Sequence, residues 1–203
     1  VEFELSHLIY IFFDMKKFFL FIWEITKVVA ISLAIILPVR YFLIQPFYVK
    51  GASMEPNFHD HEYLIIDELS YRFEAPARGQ VIVFRYPRNP QEYFIKRVIG
   101  LPGEQVQIKD GQVIIFNEAH PEGFAINEKY LSGDLITFDS SEIKVTVGPD
   151  EYFVLGDNRS ASKDSRSFGP VNKSFITGKV LFRGWPLNEI TVFDNNYWPQ
   201  YNN

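Results

Sequence analysis

At 203 residues the chain has room for one domain of ordinary size plus an anchor. Hydrophobic residues make up 47% and aromatic ones 17%, above the needs of a small soluble domain, and the net charge of −5 argues against nucleic acid, which calls for clustered Lys and Arg. The absence of cysteine excludes a disulfide framework, a thiolate zinc site and a cysteine nucleophile. The chain begins at Val1 rather than Met, which leaves the native N-terminus open.

Residues 1–26 read as an amphipathic, membrane-surface segment and residues 27–45 as a transmembrane helix. Val28 to Leu37 carries no charge, and about 20 apolar residues cross a bilayer. Glu24 and Lys27 stand at helical spacing i, i+3 and can pair. Lys16, Lys17 and Lys27 precede the span, so the positive-inside rule puts the N-terminus in the cytoplasm and everything after Gln45 outside. Arg40 is a counter-signal that snorkelling from the far end can answer. A cleaved signal peptide is the rival reading; it would be shorter, without the long charged prefix, and would end in a small-residue site that is missing after Ile44. A buried hairpin of core helices is the other.

From Phe47 the pattern changes to period two. Tyr63–Ile66, Gln80–Phe84, Tyr93–Ile99, Val106–Ile108 and Val113–Phe116 read as strands, with Asp110-Gly111 a hairpin turn between the last two. Ile143–Val147, Tyr152–Leu155, Lys179–Phe182 and Ile190–Phe193 are later strands. One helical turn is expected near Asn172–Ile176, and Asn117–Ser141 reads as an irregular excursion. Residues 46–203 are thus expected to form a mainly β, antiparallel domain of coiled sheets or a small barrel.

Two runs carry chemistry. Gly51-Ala52-Ser53-Met54-Glu55-Pro56 offers a serine where the apolar stretch gives way to a polar domain. Tyr93-Phe94-Ile95-Lys96-Arg97-Val98-Ile99-Gly100 sets a lysine among apolar neighbours. A serine hydroxyl is a poor nucleophile unless a base takes its proton. A lysine can be that base only if an apolar site pulls its pKa from about 10.4 towards 7–8. The pairing points to a Ser–Lys hydrolase at a membrane surface. Periodicity alone leaves the burial of Lys96 open, since alternation favours a solvated face and the flanking residues favour an apolar one. His59-Asp60-His61 is not a zincin spacing and no third ligand is evident, so no metal is expected.

Four runs in order then resemble the motifs of the bacterial type I signal peptidases: Ser53-Met54-Glu55-Pro56, Gly79–Phe84, Lys96–Gly103 and Gly156–Arg166. Gln45–Val49 and Trp185-Pro186-Leu187 also fit, so the resemblance runs from about Trp23 to Phe193. It implies a membrane-bound serine endopeptidase with Ser53 as nucleophile and Lys96 as general base, working through an acyl-enzyme. Ser162 would orient the lysine amine, and an Asp164–Arg166 ion pair would hold its loop. Met54, Phe84 and Ile95 would form the substrate pocket, and Arg97 is given a structural role. The Ser53 backbone N–H would serve the oxyanion. Many relatives place a serine where this chain has Gly51, and an aspartate where it has Gln80.

The substrates so implied are exported preproteins with small residues before the cleavage site, met at the cell membrane by an extracytoplasmic domain. No cofactor and no nucleic acid are called for. The rival is a non-catalytic, membrane-anchored relative that assists assembly of surface structures, which loss of the serine or lysine would favour.

Overall fold

The computed structural model divides into two compact units, Val1–Leu43 and Ile44–Asn203. It describes residues 2–42, 44–131, 137, 143–194 and 197–199, with the backbone alone at 2–14, 39–42 and 44. The side chain of Arg40 and part of the excursion expected at 117–141 lie outside the described residues.

The first unit is one helix, α1 (Glu2–Phe42). No Gly or Pro occurs before Pro38, so nothing interrupts the backbone ladder at 26/27, where the sequence reading changes from a surface segment to a span. The stretch fit to cross a membrane is Met15–Pro38, 24 residues of mean hydropathy 2.2. At 1.5 Å per residue it reaches about 36 Å, enough for a hydrocarbon core of about 30 Å. It starts earlier than the 27–45 span because Phe18–Trp23 is itself apolar. Glu24 and Lys27 inside it pair at 2.8 Å. This helix fits a single-pass membrane anchor.

The second unit is mainly β, with antiparallel sheets. Its strands are β1 (Ile44–Tyr48), β2 (Tyr63–Asp67), β3 (Val81–Tyr86), β4 (Asn89–Gly100), β5 (Gln105–Lys109), β6 (Gln112–Phe116), β7 (Phe124–Ala125), β8 (Ile143–Thr146), β9 (Glu151–Leu155), β10 (Val171–Asn172), β11 (Ile176–Trp185) and β12 (Thr191–Val192). The larger sheet runs β1-β2-β11-β3-β4-β9-β10, with β12 on β11. The smaller runs β7-β6-β5-β8. Among the described residues the larger sheet's path is open rather than barrel-closed, and register shifts along β11 and β4 mark the bulges at which such strands bend.

Local chemistry explains the turns and edges. Asp110 and Gly111 have φ of 50° and 79°, the left-handed pair that a two-residue hairpin needs between β5 and β6. β1 joins the sheet at its edge, the place where Pro46 and its missing N–H are tolerated. The sequence reading absorbed its first residues into the apolar span.

Three apolar clusters form the core. One gathers Met54, Phe58, Leu64, Val83 and Phe193. A second packs the smaller sheet through Val106 and Ile115 onto Ile99 and Phe153. The third holds Ile82, Phe84, Val98 and Tyr152. β3 and the C-terminal half of β4 are therefore buried on both faces.

Candidate active site

After β1 the chain turns through residues 51–60. Gly51 enters the turn at φ 86°, a conformation that favours glycine, and its N–H donates to Asp60 Oδ1 at 2.9 Å. Met54 and Phe58, both 0% exposed, pin the turn to the core, and the Phe58 N–H donates to the Met54 carbonyl at 2.9 Å. Ser53 is left half-buried on the wall of a cleft of about 650 Å³.

Lys96 reaches the same cleft from β4. It pairs in register with Ile82 and is 3% exposed, because that half of β4 is covered on both faces. Its Nζ donates to Ser53 Oγ at 2.7 Å and to the Ile95 carbonyl at 2.7 Å. Burial lowers the Lys96 pKa to about 8, against the carboxylates of Asp164 and Asp157, which favour the ammonium.

Ser162 lies against Gly156. A Cβ on Gly156 would stand 2.1 Å from Ser162 Oγ and 2.4 Å from the Ser53 carbonyl oxygen, so only glycine lets the loop press onto the nucleophile turn. Ser162 Oγ is buried and makes no hydrogen bond among the described residues. The second hydrogen bond to Lys96 goes to the Ile95 carbonyl, where the sequence reading places the Ser162 hydroxyl.

Asp164, fully buried, caps the short helix α2 (Ser165–Phe168), accepts from the Gly156 N–H at 3.0 Å, and meets the Arg166 guanidinium at 2.8 Å through both oxygens. Arg97, next to Lys96 and so on the opposite face of β4, forms a buried two-pronged pair with Asp157 and donates to the Gly79 carbonyl at 2.8 Å. Its guanidinium carbon lies 3.9 Å from the centre of the Tyr130 ring.

Of the three pocket residues expected, Ile95 lines the cleft. Met54 packs in the apolar floor beneath it and is screened from the opening. Phe84 is 0% exposed and packs in a different cluster; Val83, register partner of Ile95, takes the lining position. The correction has a simple cause. β3 is buried on both faces, so hydrophobicity says nothing about which face meets the cleft.

Gln80 stands where the resemblance leads one to expect aspartate. Its Oε1 accepts from the Ala77 N–H at 3.0 Å and from the Tyr71 hydroxyl at 2.8 Å, so an uncharged acceptor serves there. His59 belongs to a convergence with Glu62 and Glu189, whose ligand atoms all lie within 4.8 Å of one another. Glu189 is 130 residues from His59 in sequence, which is why this grouping was not evident there. Arg183 already answers both carboxylates, at 3.0 Å from Glu62 and 3.2 Å from Glu189.

Sequence reasoning also missed Asn57, whose Nδ2 donates to Asp157 Oδ2 and to the Tyr130 carbonyl at 2.9 Å each. It missed Asn158 too, which bonds the backbone on both sides of Ser53. Isolated loop asparagines carry no periodic signal.

A mainly β unit behind an apolar helix, with a serine hydroxyl against a buried amine, defines the class of chain in which a relative should be sought. Residues 22–185 match the family described as signal peptidase, peptidase S26, and the chain belongs to that family. It is 35% identical over 181 residues to signal peptidase IB of Staphylococcus aureus, covering 85% of this chain and 92% of that one. It is 36% identical over 171 residues to signal peptidase I of Leptolyngbya laminosa, covering 81% and 80%. The crystal structure of a signal peptidase I from Enterococcus faecalis is 33% identical and covers 52% of this chain and 97% of its own, at a TM-score of 0.43.

Proposed function

We propose that this chain is a membrane-anchored serine endopeptidase that removes N-terminal signal peptides from exported preproteins, with Ser53 as nucleophile and Lys96 as general base. The observation that carries the reading is the 2.7 Å contact between Lys96 Nζ and Ser53 Oγ, with the lysine buried. When Lys96 is neutral the bond reverses, and the Ser53 O–H donates to the amine lone pair. The hydroxyl oxygen then attacks the scissile carbonyl carbon, its proton passes to Lys96, and the carbonyl electron pair moves onto oxygen. Collapse breaks the C–N bond as the Lys96 ammonium protonates the leaving amine. Water, deprotonated by Lys96, releases the acyl group from Ser53 by the same steps. The chemistry calls for no cofactor.

The cleft supports an extended substrate. β4 pairs with β9 only from Arg97 onward, so the edge at Tyr93–Lys96 has no strand partner on that side among the described residues. A peptide added there gains main-chain hydrogen bonds, and shallow apolar walls at Val83 and Ile95 suit small side chains just before the scissile bond. Beside Ser53 in sequence, Tyr48 is 39% exposed and Phe47 half-buried, while Met54 and Phe58 belong to the core.

We propose residues 46–203 as the extracytoplasmic peptidase domain, on the strength of Lys16 and Lys17 at the N-terminal end of the stretch Met15–Pro38. Protease added outside spheroplasts should digest this domain. Digestion only in inverted vesicles would reverse the orientation.

The rate should rise with pH through about 8, as Lys96 loses its proton, and then level off. A profile set by a group titrating near pH 6 would implicate a histidine instead. The direct test of the whole reading is cleavage of a synthetic precursor by the detergent-solubilised protein. It should proceed with Ser53 and fail with Ser53→Ala; persistence in the variant would refute it.

A further inference from the structure

The peptide joining Ala52 to Ser53 is trans, so its C=O and N–H point in opposite directions. Whatever holds the carbonyl therefore aims the N–H. The Ala52 carbonyl accepts from the Glu55 N–H at 3.2 Å, within the turn, and from Asn158 Nδ2 at 3.1 Å, across the site. The Asn158 backbone N–H donates to the Ser53 carbonyl at 3.1 Å. One residue thus clamps the carbonyls on both sides of the nucleophile. Ser160 Oγ donates to Asn158 Oδ1 at 3.1 Å, which turns the amide so that its NH₂ faces Ala52. The Ser53 N–H donates to no group among the described residues, and Ser53 lines the cleft.

We infer that Asn158 is a positioning residue that aims the Ser53 backbone N–H at the oxygen on which negative charge develops; this rests on the proposed role of Ser53. Gly51 and Ala52 precede the serine, so neither neighbouring side chain carries a donor, and the turn depends there on its backbone. Losing one oxyanion donor outright costs about 10²–10³ in kcat. Losing its aim should cost about 10- to 100-fold.

The test uses the full-length, detergent-solubilised protein. Asn158→Asp keeps the size of the side chain and its backbone bond to Ser53, but turns an oxygen towards the Ala52 carbonyl. Ser160→Ala, at an exposed position, frees the amide without touching the turn, and it serves if Asn158→Asp fails to fold. Three quantities are measured: kcat and KM on a precursor peptide, inhibition by the matching peptide aldehyde, and affinity for the same peptide made uncleavable by proline after the scissile position. In Asn158→Asp, kcat and aldehyde affinity should fall together by about 10- to 100-fold while KM and affinity for the proline peptide stay within about twofold. Ser160→Ala, which adds no charge, should move the same two quantities by severalfold without shifting the pH profile, whereas the new carboxylate of Asn158→Asp should displace the profile upward as Asp164 and Asp157 do. Wild-type kcat and aldehyde affinity in both variants would overturn the inference. So would a loss shared equally by the proline peptide, or a displaced pH profile in Ser160→Ala. If Ser53→Ala kept its activity, the nucleophile itself would be misassigned; loss there with wild-type rates in both other variants removes only the role given to Asn158.

Discussion

Ser53→Ala and Lys96→Met should each lower precursor cleavage by about 10⁴-fold or more, and the double variant should be no slower than either single one, because two groups that act as one unit do not lose activity additively. Stability separates this from a folding defect. Between the folded pKa of about 8 and the ordinary lysine value of 10.5, the unfolded chain holds the Lys96 proton more tightly than the folded one. Stability therefore rises with pH across that window, and at neutral pH the buried ammonium is a cost that the folded state carries. Methionine is one heavy atom shorter than lysine and removes that cost, while it also gives up the attraction of Asp164 and Asp157. The melting temperature of Lys96→Met should accordingly stay within about 3 °C of the parent at neutral pH, and the pH-dependent rise above 8 should shrink. A double variant much slower than both singles would show that the pair does not act as a nucleophile and its base, and an unfolded Lys96→Met would trace its loss to folding instead.

How much of this was legible in the chain depends on whether the information was local. Strands β2 to β6 could be read because each presents a short apolar or alternating run, and Asp110-Gly111 fixed the hairpin between two of them. The serine and lysine runs were legible for the same reason, each being contiguous. The 2.7 Å contact between them was not, since 43 residues separate them and only the β3–β4 pairing beside the nucleophile turn brings them together. Phe84 was misplaced because a strand buried on both faces carries no parity signal. Asn57 and Asn158 were overlooked because their partners lie 100 and 106 residues away, and a polar loop residue gives no hint of a remote acceptor. The continuous α1 likewise follows from what is absent before Pro38, while the sequence reading attended to where the charges stop.

Gly156→Ala should lower kcat/KM by about 10²-fold or more, although it adds one methyl group and touches no proposed nucleophile or base. The added Cβ would stand 2.1 Å from Ser162 Oγ, 2.4 Å from Ser162 Cβ and 2.4 Å from the Ser53 carbonyl oxygen. Trimming Ser162 to alanine cannot relieve it, because the second and third of these contacts remain. Nor can the backbone at Gly156 retreat freely. Its N–H is held by Asp164 Oδ2 at 3.0 Å and its carbonyl accepts from Arg159 Nε at 3.1 Å, while the next residue, Asp157, is tied to Arg97. Either the nucleophile turn moves away from Lys96, or the loop from Gly156 to Asp164 peels back and takes the Asn158 clamp with it. Both outcomes lengthen the 2.7 Å contact, and a displacement of about 1 Å is enough for the expected loss. Overpacking of this kind should also destabilise the fold by about 1–3 kcal/mol. Gly184→Ala is the control: its nearest neighbour would be Phe182 Cε1 at 3.3 Å, the movable end of a side chain, and its kcat/KM should stay within about twofold of the parent. If Gly156→Ala cleaved the precursor at the parent rate, the loop would not be pressed against the nucleophile turn, and the clamping of Ser53 from that side would have to be abandoned.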